Sequence, residues 1–158
     1  MIDLGFNYRL SDLSCALGLS QLTRLPENIS RRREIVHRYN MAFAELDSVV
    51  SPMELPDAHS VWHLYPIRLN LNALNVGRKE VFQALRAENL EVNVHYIPVH
   101  LHPYYQQRFG YREGDYPNAE GAYHSLITLP LFHSMSDQDV EDVIEAVWRV
   151  FGYFASES

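Results

Sequence analysis

The run SMSDQDVEDVIEAVWRVFGYF, residues 134–154, constrains the fold more than any other segment. Val140, Val143, Ile144, Val147, Phe151 and Phe154 recur at three- and four-residue steps, so a helix here carries one continuous apolar stripe. Such a stripe has to be covered by other elements. Ser136 and Asp139 supply a capping-box-like start, and Asp137, Asp139, Glu141 and Asp142 place negative charge near the positive end of the helix dipole.

The partners are legible upstream. Leu10, Leu13 and Leu17 predict a first helix to about Leu22 with Ser11 as cap, and Pro26 suits the first turn of a second. Ile29, Val36, Tyr39, Phe43 and Leu46 mark the buried stripe of that second helix; the adjacent Arg31, Arg32 and Arg33 read as a solvated face. Val49 and Val50 predict a short strand, and alternation in VWHLYPIRLNL a longer one from about Val61 to Leu69. A helix from about Arg78 to Glu88 ends at Asn89, a residue suited to a left-handed C-terminal position. EVNVHYIPV reads as a strand stopped by Pro98, residues 118–126 as a helix, and ITLPL as a strand ended by Pro130. With 158 residues, no repeat and no linker, the expectation is a single α+β domain over residues 1–158: a sheet of three or four short strands with helices packed on one face.

Composition excludes some functions. The net charge of −7 gives no general basic surface for nucleic acid. No apolar run nears the roughly 20 residues that span a bilayer, so no membrane partner is expected. The lone Cys15 and the lack of a secretion signal lead to a cytoplasmic expectation. Twelve of the thirteen basic residues are arginine, which leaves Lys79 as the only lysine.

Polar and aromatic residues concentrate in two places. One is the quartet Phe6-Asn7-Tyr8-Arg9; the other is HYIPVHLHPYY, from His95 to Tyr105. His95, His100 and His102 invite a zinc reading, but H-x4-H-x-H is no familiar zinc signature. Histidine and tyrosine together suit the mouth of a polar-ligand site. Tyr96, Tyr104 and Tyr105 packing the loop onto the sheet is the competing reading, and residue types alone do not separate the two. No nucleophile elbow, phosphate loop or dinucleotide fingerprint is present.

In order along the chain, LGFNYRLSDLSCALGLSQL, HLYPIRL, VNVHYIPVHLHPYY and ITLPLF followed by an amphipathic helix resemble the DegT/DnrJ sugar aminotransferase family. The wording is most similar to the branch that makes 4-amino sugars for pseudaminic acid. The resemblance implies the C-terminal small domain of a fold type I, pyridoxal-phosphate-dependent enzyme. In that family an amine passes from glutamate to a nucleotide-linked 4-keto sugar for surface polysaccharide or glycan biosynthesis. It implies a homodimer with active sites at the subunit interface and a large domain, carrying the Schiff-base lysine, ahead of the segment seen here. Lys79, in a predicted surface helix, does not match that lysine, so no catalytic residue and no covalent cofactor bond are assigned to this chain. By resemblance, Asn7 reaches the cofactor phosphate of the neighbouring subunit, and Arg9 of the same motif is a cofactor contact with a structural ion pair as its alternative. Tyr8 shapes the interface and the substrate site. His95 and Tyr96 match the motif lining the nucleotide-sugar pocket, with His100 and Tyr104 as further contacts. The family often has Gly-Ile where this chain has Asn89-Leu90, a departure that Asn tolerates. A non-catalytic binding module of the same fold, or a histidine metal site, are the alternatives.

Overall fold

The computed structural model describes residues 8–156. Its elements run α1 (Asp12–Phe43), β1 (Val49–Val50), β2 (Tyr65–Leu69), α2 (Arg78–Ala87), α3 (Pro103–Phe109), α4 (Pro117–Ser125), β3 (Leu126–Leu129) and α5 (Asp137–Phe154). The sheet is antiparallel in the order β1-β2-β3, with Val49 opposite Leu69 and Tyr65 opposite Leu129. This is the small α+β domain that the pattern of elements predicts, with three strands.

Tyr65, Ile67 and Leu69 alternate into the core with Ile127 and Leu129 of β3. Against them lie Ile35, Val36, Tyr39 and Phe43 of α1, Val81 and Leu85 of α2, and Val140, Val143, Val147, Val150 and Phe151 of α5. α5 therefore buries its stripe against both α1 and α2. Its capping box is complete: Asp139 N donates to Ser136 Oγ at 3.1 Å, and Ser136 N donates to Asp139 Oδ2 at 2.7 Å. The Ser136 amide, together with the Ser136 hydroxyl that donates to the same oxygen at 2.8 Å, holds the Asp139 carboxyl below the usual aspartate range. Asn89 takes φ 64°, so α2 ends as its sequence predicts.

Four local readings are corrected. The two predicted helices around Pro26 are one continuous 32-residue α1 with Pro26 inside it. Proline removes the donor for the Leu22 carbonyl, but this turn is exposed, which leaves that carbonyl to solvent. The strand expected from Val61 begins only at Tyr65, because Trp62 sits at φ 48°, outside strand geometry. The expected strand EVNVHYIPV is reduced to one bridge, Asn93 opposite Thr128, after which the chain leaves the sheet edge through a cis His95-Tyr96 bond. Val99–Leu101 is a 3-10 turn, and Pro103 opens α3, a helix the sequence reading did not foresee.

The fourth correction concerns Arg31, Arg32 and Arg33. They are half-buried and act as clamps from α1 to the β1–β2 connection and to the start of α5. Arg31 donates to Met135 O at 2.9 Å and Asp137 Oδ1 at 2.8 Å. Arg32 donates to Trp62 O at 2.9 Å and His63 O at 3.0 Å. Arg33 donates to Ser60 O at 2.9 Å and Glu54 Oε1 at 3.1 Å. A planar guanidinium with several fixed donors suits this use.

Candidate functional site

β3 is the edge of the sheet and carries the site. Thr128 stands between the core residues Ile127 and Leu129, so the period-two alternation sends its side chain to the opposite face. Its backbone is pinned on the outer side by Asn93: Asn93 N donates to Thr128 O at 3.1 Å, and Thr128 N donates to Asn93 O at 2.8 Å. That bridge delivers His95 two residues later, and its Nδ1 lies 2.9 Å from Thr128 Oγ1. The Tyr96 ring meets the His95 ring edge-on at 4.6 Å and is 73% exposed.

A cleft of about 380 Å³ opens beside this pair. His95, Asn93, Arg86 and Glu91 are its polar lining, and Phe82 and Phe132 are among its apolar walls. Imidazole, amide and guanidinium beside aromatic rings form a surface that suits a polar, partly anionic ligand with a flat moiety.

His100 and Tyr104 lie elsewhere in the loop cluster. His100 is buried, with Nε2 2.7 Å from Glu120 Oε1, and its ring lies 4.8 Å from Tyr116. Glu120 also accepts the amides of Gly114 at 2.8 and 3.0 Å and of Tyr116 at 3.2 Å. Gly114 reaches that carboxylate with φ 97°, a conformation that favours glycine. Desolvation pushes the Glu120 carboxyl up, but the bonds from Gly114, His100 and Tyr116 outweigh it and hold the group below the usual glutamate range. Tyr104 is exposed on α3 and packs edge-on against Tyr105 at 5.3 Å. His102 is exposed at the start of α3. The three histidines thus take separate positions, and among the described residues no group of three His, Cys, Asp or Glu is arranged to hold a metal.

Tyr8 and Arg9 are exposed ahead of α1, away from the core; Asn7 lies outside the described residues. Lys79 is exposed on α2 and is absent from the cleft lining. No helix among the described residues is long and apolar enough to cross a membrane. The sequence reading missed Arg86, Asn93 and Thr128. Only Thr128 left a signal, a polar residue at the off-beat of an otherwise apolar strand.

The pattern defining the DegT/DnrJ/EryC1/StrS aminotransferase family matches residues 1–148, and the chain belongs to that family. It is 46% identical over 144 residues to the spore coat polysaccharide biosynthesis protein SpsC of Bacillus subtilis (strain 168), covering 90% of this chain and 37% of SpsC. Its fold is similar to Helicobacter pylori PseC, an aminotransferase involved in the biosynthesis of pseudoaminic acid, with a TM-score of 0.86 and 29% identity over 96% of this chain and 40% of PseC. It is also similar to Spr1654 from Streptococcus pneumoniae in its PLP form, with a TM-score of 0.82 and 30% identity over 94% of this chain and 37% of that one. The chain therefore spans under half the length of the relatives it matches.

Proposed function

We propose that this chain is the small-domain part of a pyridoxal-phosphate-dependent sugar aminotransferase, in which it clamps a nucleotide-linked sugar. The observation that carries the reading is His95, tied to Thr128 at the mouth of the 380 Å³ cleft. In the assembled enzyme, glutamate supplies the amine and a 4-keto sugar receives it. Pyridoxal phosphate supplies the electron sink for that exchange when bound. This chain's residues bind and orient: His95 and Tyr96 contact the nucleotide sugar, Tyr104 lies on the same loop cluster, and His100 acts through Glu120 to set the loop. Asn7 and Arg9 serve the cofactor phosphate of a partner subunit in a homodimer, with Tyr8 at that interface. Kinship with SpsC and PseC supports polysaccharide or glycan biosynthesis as the setting.

The test is glutamate-dependent amination of a nucleotide-linked 4-keto hexose by the enzyme polypeptide carrying this chain. The reading predicts an amino sugar product that requires both glutamate and pyridoxal phosphate. Turnover without either one contradicts it.

A further inference from the structure

We propose that Thr128 is a positioning residue for His95: its hydroxyl, 2.9 Å from Nδ1, fixes the rotation of the ring and leaves Nε2 as the nitrogen for the ligand. The role in ligand binding rests on the functional reading above; the coupling of hydroxyl to ring does not.

Three features make Thr128 suited to this. Its backbone N–H and C=O are both bonded to Asn93, and it lies in register with Pro66 of β2 on the other side, so Cα has little freedom. Its β-branched side chain has few accessible rotamers, which makes Oγ1 a stiff anchor. The residue is 5% exposed, and a buried hydroxyl is costly to leave unpaired. His95 has the opposite character. It sits just past the last bonded residue of the sheet edge and is half-exposed, so its ring needs an anchor to hold one orientation. A hydroxyl both donates and accepts, so it can hold Nδ1 in either tautomer and turn Nε2 away from the strand. The Tyr96 ring, edge-on at 4.6 Å, limits movement from a second side.

The chain labelled with 15N-histidine reads this directly, with the His95 resonances assigned through His95→Gln. In the unsubstituted chain, the Nδ1 resonance of His95 should carry the shift of a hydrogen-bonded ring nitrogen, displaced from that of the exposed His102. Thr128→Val replaces hydroxyl by methyl in an equal volume and keeps a residue suited to strands. The Nδ1 shift should then move toward that of an exposed ring, and Thr128→Ser should restore it. Thr128→Ala is the second variant if valine disturbs the amide spectrum beyond residues 91–98. Unchanged His95 shifts in a folded Val or Ala variant overturn the proposal.

A parallel titration with UDP-N-acetylglucosamine tests the consequence for binding. Thr128→Val should weaken binding by about fivefold to tenfold, the factor one lost hydrogen bond supplies, with recovery in Thr128→Ser. A moved Nδ1 shift with equal affinity in all variants overturns the positioning role. Equal affinity in His95→Gln counts instead against the functional reading, and the shifts still decide the coupling.

Discussion

His100 Nε2 and Glu120 Oε1 lie 2.7 Å apart in a buried contact, and the same carboxylate gathers the amides of Gly114 and Tyr116. One side chain at the first turn of α4 thereby staples the turn before α3 to the loop after it. The aromatic cluster of Tyr105, Phe109, Tyr111 and Tyr116 is held in the same knot.

Acid should loosen that knot. Glu120, Asp137 and Asp139 all titrate below their ordinary values of 4.5, 3.8 and 3.8. Depressed native values mean that the unfolded chain binds protons first, so the stability they contribute is present above about pH 4.5 and is lost as pH falls through the native values. Thermal melts across this range should show a plateau and then a decline. Glu120→Gln, with its Tm already lower on the plateau, should decline less steeply.

Alkali acts on the core. Burial pushes the Tyr65 hydroxyl up to about 12 from 10.0 and drives Tyr39 higher still. The native state keeps these protons where the unfolded chain has lost them. Stability should be full below pH 10 and fall as pH rises through about 12. Tyr65→Phe should make that fall shallower in denaturant titrations.

The arginine clamps give a mutational contrast. Arg32→Ala removes both bonds to the Trp62 and His63 carbonyls and should cost about 1–3 kcal/mol in urea unfolding. Arg24→Ala, on the exposed part of α1, should stay within about 0.5 kcal/mol.

A second contrast separates the two halves of α1. Phe43→Ala empties a fully packed site and should cost about 3–5 kcal/mol. Leu17, 63% exposed, should tolerate Ala within about 0.5 kcal/mol in this chain.

These contrasts mark what local sequence encodes. The capping box at Ser136 and Asp139, the left-handed Asn89 and the stripe of α5 were legible because each depends on residues a few positions apart. Pro26 was misread because proline opens helices and also survives inside exposed ones; the local signal is the same. The three arginines were misread because the loop and α5 acceptors they reach lie 21 to 106 positions away. EVNVHYIPV has strand composition, but only Asn93 finds a partner on β3, so the rest becomes loop. His95 and Tyr96 were named through resemblance. The cleft beside His95 needs Arg86 from α2 and Thr128 from β3, and only tertiary packing brings these together.

The most direct measurement is the steady-state kinetics of amine transfer from glutamate to a nucleotide-linked 4-keto sugar, comparing His95→Ala with the unsubstituted enzyme polypeptide carrying this chain. If His95 contacts the nucleotide sugar, KM for that substrate rises on the order of tenfold, while KM for glutamate stays unchanged. An unchanged nucleotide-sugar KM would contradict the assignment of this cleft as the sugar-nucleotide clamp.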